Sequence, residues 1–221
     1  PSRAPRARRT RIGSASPSAG AATASGSDST GSVRPADGAT ALFHGAKAGL
    51  RLPEGWLAPT MLVQPFRSDF LSLQAAGHTV SPVAQGNGHS VSLVLADRYR
   101  GLNEARIADA WQRTVPGGLI VVAGVRTDGI DSLRKRIGAR VDGHLSKHHG
   151  VAFWLRKDDG PAVFAATGQP VLVDGRWETR PGHFSFDRVD AGSRLLADYL
   201  PDAVSGAVAD FGAGWGYLAD V

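Results

Sequence analysis

The stretch with the clearest chemical character lies near the end of the chain, at Asp210-Phe211-Gly212-Ala213-Gly214-Trp215-Gly216. Glycines at every second position let a backbone turn sharply and approach a ligand more closely than any side chain would permit. Asp210 offers a hydrogen-bond acceptor to an amine or hydroxyl of that ligand. The small apolar run 207–209 predicts a buried strand before the loop, and Tyr217-Leu218-Ala219 predicts the start of a helix after it.

The order of these residues separates the loop from the dinucleotide-binding fingerprint. That fingerprint has two residues between its second and third glycines, and its acidic residue follows the glycines by about 20 positions. Here the pattern is D-x-G-x-G-x-G. Because the acid precedes the glycines, the loop does not indicate a pyrophosphate. The alternative interpretation is a glycine-rich turn between a strand and a helix, with no ligand.

The positive charge of the chain is concentrated at its beginning. Residues 1–38 carry a net charge of +4 out of the formal +5, and they consist mainly of Ser, Ala, Gly, Pro, Thr and Arg. Such a composition predicts disorder, because too little apolar surface is present to offset the chain entropy. The favoured interpretation of the tail is a solvated extension without function or an over-extended reading frame. The alternatives are a phosphate-binding arm and an organellar transit peptide.

The whole chain is 42% hydrophobic, which allows a proper core, and it has no cysteine, which excludes disulfides and thiolate chemistry. No apolar run has the length of a membrane span. From 39 to 165, short apolar strands alternate with helices. This pattern predicts an α/β fold with a doubly wound, mostly parallel sheet. Strands are predicted at 61–66, 91–96, 119–125 and 151–155, and helices at 69–76, from Asn103 and at 132–137.

This predicted domain has no glycine loop after an early strand, and Gly86-Asn87-Gly88 is interpreted as a turn. It therefore has the pattern of a nucleotide-binding fold without the nucleotide site. Its basic residues either contact phosphates or form a solvated helix face, and the sequence favours neither. These residues are Arg126, Arg134, Lys135 and Arg136. His144, His148 and His149 predict a polar loop rather than a metal site, because no other ligand completes the set.

The residues between this domain and the glycine loop carry a second motif. Val171–Thr179 predicts a hairpin with an Asp174-Gly175 turn. The order P-G-x-F-S-x-D-x-x-D-x-G-S-x-L-L then runs from Pro181 to Leu196. A helix with an apolar side is predicted after it; that side consists of Leu195, Leu196, Tyr199 and Leu200.

This motif, followed by D-x-G-x-G-x-G, resembles the 16S ribosomal RNA guanine-N2 methyltransferases, a family of class I S-adenosylmethionine-dependent methyltransferases. Within the middle domain, Pro116-Gly117-Gly118, Gly124–Ser132 and Lys147–Trp154 are also similar to elements of that family. The resemblance spans about residues 41–221 and is strongest from Pro181 onward.

The resemblance implies two methyltransferase-like domains in tandem. The first has lost cofactor binding and supports folding and RNA recognition, whereas the second is catalytic and Rossmann-type. On this basis the chain divides into a disordered basic tail (1–38), a first domain without a cofactor site (39–165), a hairpin linker (166–190) and the beginning of the catalytic domain (191–221).

The resemblance also implies the site. The methionine part of S-adenosylmethionine is expected against the glycine loop, and a wall leading into the pocket is expected from the preceding motif. The loop residues are Asp210, Gly212, Ala213, Gly214 and Gly216, and the wall residues are Phe184, Asp190, Gly192 and Ser193. The family's catalytic Asn-Pro-Pro-aromatic loop does not occur in this sequence. The chain is therefore expected to be a fragment, truncated after the glycine loop and inactive by itself.

The expected partner is ribosomal RNA or the small ribosomal subunit, and the expected protein is a cytoplasmic bacterial monomer without a metal or membrane contact. Two alternatives remain open at this point. One is a non-catalytic RNA-binding or chaperone module built on a methyltransferase fold. The other is an α/β enzyme that uses a different nucleotide cofactor, which the order of acid and glycines disfavours.

Overall fold

In a computed structural model of the chain, the described residues are 40–56, 59–165, 170–201 and 205–221. The tail 1–38, predicted to be disordered, lies outside them. Nine strands and five α-helices are described in this part of the chain. The strands are β1 (Ala41–His44), β2 (Thr60–Val63), β3 (Val80–Ser81), β4 (His89–Leu95), β5 (Thr114–Val125), β6 (Gly143–Lys147), β7 (Gly150–Arg156), β8 (Val171–Val173) and β9 (Trp177–Thr179). The helices are α1 (Arg67–Ala75), α2 (Arg100–Arg113), α3 (Ile130–Ile137), α4 (Ala191–Ala197) and α5 (Tyr217–Asp220).

Seven of the strands form one mixed sheet in the order β3-β2-β1-β4-β5-β7-β6. The strands β1 to β5 pair in parallel, and β7 runs antiparallel to both of its neighbours. Helix α1 lies in the connection from β2 to β3 and α2 in the connection from β4 to β5, as is usual between parallel strands. The predicted α/β fold with a doubly wound, mostly parallel sheet is confirmed.

The larger core lies between one face of this sheet and helices α2 and α3. Val94, Val122 and Phe153 stand in one row across β4, β5 and β7 and are buried there. The helices contribute Ile107, Ala110, Trp111, Ile130, Leu133 and Ile137 to the same cluster. A smaller cluster on β2 joins α1 and the segment after β1 to the sheet, through Leu62, Leu73 and Ala46.

Three local predictions about the first domain were wrong. Asn103 does not cap α2, because the helix begins at Arg100 and Asn103 lies in its first turn. The Asn103 amide instead bonds both backbone groups of Asp97, at 2.8 and 2.6 Å, and so fixes the end of β4. Asp69 likewise lies inside α1 rather than at its cap. Pro116 does not separate helix from strand, since β5 already begins at Thr114.

The histidines predicted to lie in a polar loop are distributed between a strand and its turn. His144 lies on β6, whereas His148 and His149 form the turn into β7. The described residues contain no group of three or more His, Cys, Asp or Glu side chains arranged to hold a metal ion. In the same part of the chain, no helix has the length and hydropathy needed to cross a bilayer.

A buried polar contact joins the end of β1 to α2. His44 Nε2 lies 3.1 Å from Asp109 Oδ2, within ion-pair distance but without the geometry of a hydrogen bond. Arg113 Nε donates to Asp109 Oδ1 at 2.8 Å. Burial alone would raise the pKa of the Asp109 carboxyl group, but His44 and Arg113 together hold that pKa below its usual value.

This contact predicts a pH-dependent contribution to stability. A carboxyl group whose pKa is lower in the folded state stabilises the fold above its unfolded pKa of about 4, and the contribution disappears as the pH falls through the folded pKa. We expect Asp109→Asn to lower the free energy of unfolding at pH 7, and the difference from wild type to shrink below about pH 4. Urea unfolding at several pH values measures this.

The matched control is Asp159→Asn, because Asp159 is exposed and takes part in no ion pair among the described residues. Its difference from wild type should stay small at every pH. A difference for Asp109→Asn that remained constant down to pH 3 would contradict the ion-pair interpretation.

Candidate functional site

The hairpin β8–β9 is the first element of the candidate site. Asp174 and Gly175 both have positive φ (49° and 70°), and the Arg176 amide donates to the Val173 carbonyl at 3.0 Å. Because Val173 pairs with Trp177, the loop has three residues, one more than the predicted Asp174-Gly175 turn, while the hairpin itself is confirmed. Thr179, at the end of the hairpin, is fully buried. Its hydroxyl donates to the carbonyl of Phe186, so the hairpin fixes the start of the following segment.

The glycine loop needs its glycines for their backbone conformation. Gly212, Gly214 and Gly216 have φ values of 88°, 59° and 93°. These lie in the left-handed region, which costs an L-residue roughly 1–2 kcal/mol. The Gly216 amide donates to the Ala213 carbonyl at 2.8 Å, and α5 begins at the next residue. The helix predicted after the loop is confirmed.

Two tryptophans hold the loop against the hairpin and the segment that follows it. Trp215 Nε1 donates to the Phe184 carbonyl at 2.9 Å. Trp177 of β9 packs against Trp215 and Tyr217, with ring centroids 5.8 and 5.3 Å apart. Trp177 Nε1 also donates to Asp220 Oδ2 at 2.7 Å. The sequence analysis assigned no role to Trp215. The only feature that could have indicated one was a large aromatic residue between two glycines of the loop.

These contacts enclose a cavity of about 90 Å³ between the segment and the loop. Six of the residues predicted for the site line it, namely Phe184, Asp190, Ser193, Gly212, Ala213 and Gly214. Four further lining residues were not predicted as site residues; they are Ser185, Trp215, Tyr217 and Leu218.

Asp190 has a structural role at the edge of this cavity. Its Oδ2 accepts from the Ser193 amide at 3.0 Å, which caps the amino-terminal end of α4. A Cβ atom at Gly192 would lie 3.1 Å from the same oxygen, so Gly192 keeps space for the cap. The two predicted wall residues therefore act together to start a helix.

Asp210 and Gly216 do not line the cavity, and Asp210 is exposed. The buried strand predicted over 207–209 was wrong, since no strand forms there and Val208 is 70% exposed. The physical reason is that no strand in the described part of the chain pairs with these residues. The helix predicted before the loop is shorter than expected, since α4 ends at Ala197. The side chains predicted to form its apolar side are exposed to solvent, namely Leu195, Leu196, Tyr199 and Leu200.

The basic residues predicted for RNA contact are largely paired within the protein. Arg126 Nη1 lies 2.6 Å from Asp131 Oδ2, and Arg134 lies 3.7 Å from the other oxygen of Asp131. Arg136 pairs with Glu104, and burial lowers the pKa of its guanidinium group. Lys135 is exposed and forms no ion pair with any described residue.

A buried arginine lies at the carboxyl edge of the first sheet, between β1 and β4. This is the point where the strand order reverses, which is where doubly wound sheets bind ligands. Arg106 of α2 is 9% exposed, and its Nη1 donates to the carbonyl of Leu95 at 3.0 Å. A Cβ atom on Gly45, just after β1, would lie 2.8 Å from the same nitrogen. The guanidinium group therefore fills this crevice.

With the fold and the loop described, comparison with known proteins defines the class. The family model described as Methyltransferase small domain matches residues 174–221. A solved 16S rRNA N2 G1207 methyltransferase from T. thermophilus, in complex with S-adenosylmethionine and guanosine, superposes with a TM-score of 0.53 at 17% identity. The superposition covers 72% of this chain and 47% of that chain. The chain has an α/β methyltransferase-like fold of the Rossmann type.

The similar curated proteins share one name, ribosomal RNA small subunit methyltransferase C. The protein from Pseudomonas paraeruginosa is 30% identical over 141 residues, which cover 58% of this chain and 41% of the relative. The protein from Psychromonas ingrahamii is 54% identical over 39 residues, or 18% of this chain and 11% of the relative. The chain thus resembles the class I S-adenosylmethionine-dependent methyltransferases of this group, and it spans about two fifths of the Pseudomonas relative's length.

The anchoring of the loop by Trp215 is testable. Trp215→Phe keeps an aromatic ring but removes the hydrogen bond to Phe184, which is worth about 0.5–1.5 kcal/mol. We expect the Gly216 amide to exchange with solvent roughly 2- to 12-fold faster, as measured by NMR hydrogen exchange. Trp177→Phe is the matched control, because it removes a tryptophan hydrogen bond to Asp220 and leaves the bond to Phe184 intact. Equal acceleration in both variants would show that Trp215 has no specific role.

Proposed function

We propose that this chain belongs to an S-adenosylmethionine-dependent methyltransferase that modifies a guanine exocyclic amine of small-subunit ribosomal RNA in the bacterial cytoplasm. The observation that carries the proposal is the glycine loop. Its three left-handed glycines pack on the segment 184–193 through Trp215, within the residues that match the Methyltransferase small domain model. The names of the curated relatives support ribosomal RNA as the substrate.

In this proposal the loop binds the methionine part of the cofactor. No atom lies within 4 Å of a Cβ built on Gly212 or Gly216, so a ligand can approach the backbone there. Asp210 is exposed beside the loop, and its carboxylate is available to the cofactor's ammonium group. S-adenosylmethionine would supply an electrophilic methyl group to the guanine amine. The residues of this chain would hold and orient that cofactor.

The cavity at the loop is too small to contain the whole cofactor. Its volume is about 90 Å³, whereas small-molecule sites usually measure about 300–1,000 Å³. We propose that the remaining walls, including an Asn-Pro-Pro-aromatic loop, come from further residues of a longer protein. The 41% coverage of the Pseudomonas relative supports this, and so do exposed apolar side chains such as Leu195, Val208 and Phe211.

The first domain, from 39 to 165, is proposed to bind RNA and not the cofactor. Arg106 fills the crevice in which a doubly wound sheet would hold a nucleotide, and its positive charge would repel a sulfonium ion. The hairpin 166–190 would link this domain to the catalytic one, which begins at 191. We propose that the protein works as a monomer and that RNA lies against α3 and Arg126.

The cofactor assignment predicts a difference between two lengths of the protein. The 221-residue chain should give no S-adenosylmethionine binding by calorimetry, because most of the pocket is missing. A protein extended to the length of its relatives should bind the cofactor and transfer a labelled methyl group to small-subunit ribosomal RNA. Mass spectrometry of the digested RNA should show N2-methylguanosine.

In the longer protein, Asp210→Ala should weaken cofactor binding by about 10- to 150-fold and leave RNA affinity nearly unchanged, because one charge-assisted hydrogen bond is lost. Asp198→Ala is the control, since Asp198 is exposed and lies outside the cavity lining. RNA binding without any methyl transfer would instead support a non-catalytic RNA-binding or chaperone module. If Asp210→Ala left cofactor binding unchanged, the assignment of this loop as the cofactor-binding loop would be wrong.

The RNA assignment predicts which basic residues matter. Each phosphate contact with single-stranded RNA contributes about 0.7 to the slope of log affinity against log salt. Lys135→Gln should lower that slope by about 0.7, because Lys135 has no competing carboxylate in the described structure. Arg136→Gln should lower it less, because Arg136 is already paired with Glu104. Filter binding of a short single-stranded RNA at several salt concentrations measures both. An unchanged slope for Lys135→Gln would show that α3 is not part of the surface that binds RNA.

A further inference from the structure

A second cavity, of about 440 Å³, opens at the carboxyl edge of the first domain's sheet and shares no lining residue with the glycine-loop cavity. It is built where β4 and β5 end and where β6 and β7 turn. Carboxyl ends of parallel strands are the usual ligand-binding edge of such sheets, and the volume lies within the range of small-molecule sites. Neither the proposed cofactor loop nor the α3 surface includes this cavity.

The floor of the cavity is a row of side chains across four adjacent strands. Leu95 pairs with Ala123, Ala123 with Ala152, and Ala152 with Leu145. Leu95, Ala123 and Ala152 are each next in their strands to a buried residue of the larger core, so their side chains point to the opposite face of the sheet. Leu145 is in register with Ala152 and therefore lies on that same face. Two alanines between two leucines make a shallow apolar shelf. The shelf is exposed to solvent at its edges, where the relative solvent exposure of Leu145 is 61% and that of Val125 is 42%.

Three charged side chains surround this shelf. Lys47 and Lys147 are exposed, and neither forms an ion pair or a side-chain hydrogen bond with another described residue. The Asp128 carboxylate is partly buried and likewise accepts no hydrogen bond from the described residues. The site thus combines an apolar shelf, two cations that are available to an anion, and one acceptor that is available to an N–H group.

We propose that this cavity binds a nucleoside phosphate. The planar base lies on the shelf of Ala123 and Ala152, the phosphate pairs with Lys147 at the end of β6, and Asp128 accepts a hydrogen bond from an N–H group of the base. This arrangement gives Lys147 and Asp128 a partner each and covers the exposed apolar side chains of the shelf. A purely apolar ligand would leave the lysines and the carboxylate without partners, and a free inorganic anion would leave the shelf uncovered.

Two sources present the same chemistry, namely an unpaired nucleotide of an RNA strand and a free mononucleotide. Both are tested with the 221-residue protein. NMR titrations with guanosine 5′-monophosphate, adenosine 5′-monophosphate, guanosine and a single-stranded hexaribonucleotide follow the amide signals of Gly124, Val125 and Gly150. We expect saturable shifts of these signals with the mononucleotides or the hexamer. Guanosine, which lacks the phosphate, should bind about 10-fold more weakly than its monophosphate.

A hexamer that binds at least 10-fold more tightly than either mononucleotide identifies RNA as the source, and equal affinities identify a free nucleotide. Ala152→Leu fills the shelf and should abolish binding of every probe. Lys147→Ala should weaken the phosphate-bearing probes about 3- to 10-fold and leave guanosine unchanged. The matched controls are Ala75→Leu, which adds the same bulk to the exposed face of α1, and Arg67→Ala, which removes an exposed cation of α1 that lies outside both the cavity lining and the α3 surface.

Two results would overturn the proposal: the absence of saturable shifts with all four probes, or binding that Lys147→Ala and Arg67→Ala weaken equally. Lys147 is exposed on an edge strand, so its variant tests the site even if Ala152→Leu disturbs folding. The proposal does not depend on the methyltransferase assignment. If the longer protein did not bind the cofactor, the results of these titrations would still stand. If the titrations showed no binding, the proposed role of the glycine loop would still stand.

Discussion

The pairing of β5 along both of its edges determines the arrangement of the first domain. On one side β5 pairs in parallel with β4, and on the other it pairs antiparallel with β7 over seven residues. Because side chains alternate along each strand, this register places Val122 and Phe153 in the helix-covered core and Ala123 and Ala152 on the opposite face. A slip of one residue would exchange the two rows and bury the shelf in place of the core. The register that makes the core also makes the second cavity.

The part from 171 to 221 is stabilised differently, by hydrogen bonds and aromatic contacts rather than by a large apolar core. Trp177, Trp215 and Tyr217 contact one another, and Arg176 pairs with Asp220 at 2.7 Å. Ring pairs of this kind contribute about 0.5–1.5 kcal/mol each beyond their burial. These contacts give the glycine loop a defined geometry even though the side chains of Phe211 and Val208 remain exposed. The loop is therefore shaped locally before any further wall of a pocket is added.

The sequence predicted best those features that depend on local residues alone. The hairpin around Asp174-Gly175, the helix after Gly216 and the apolar strand within β5 all follow from conformational preferences of a few neighbouring residues, and all are confirmed. The predicted strand at 207–209 failed because a strand also requires a hydrogen-bonding partner, which local composition does not specify. The pairs of Asp131 with Arg126 and Arg134 are local, and the spacing of Asp131 and Arg134 on one helix was an available signal. The pairing of Arg136 with Glu104 was not predictable, since it joins α3 to α2 through the fold. The cavity at the end of β5 has the same origin, because its lining comes from five separate segments.

Two glycines near strand ends or helix starts show how the same residue type serves opposite purposes. Gly45 follows β1 at φ 76°, and the space beside it contains the Arg106 guanidinium group and the Leu95 carbonyl. Gly216 precedes α5 at φ 93°, and the space beside it is open. A ligand could approach the backbone at Gly216, whereas at Gly45 it would have to displace a buried cation that donates to a strand-end carbonyl. Positive φ by itself therefore does not identify a binding loop. What distinguishes the two positions is whether a side chain of the protein already occupies the space that the missing Cβ leaves.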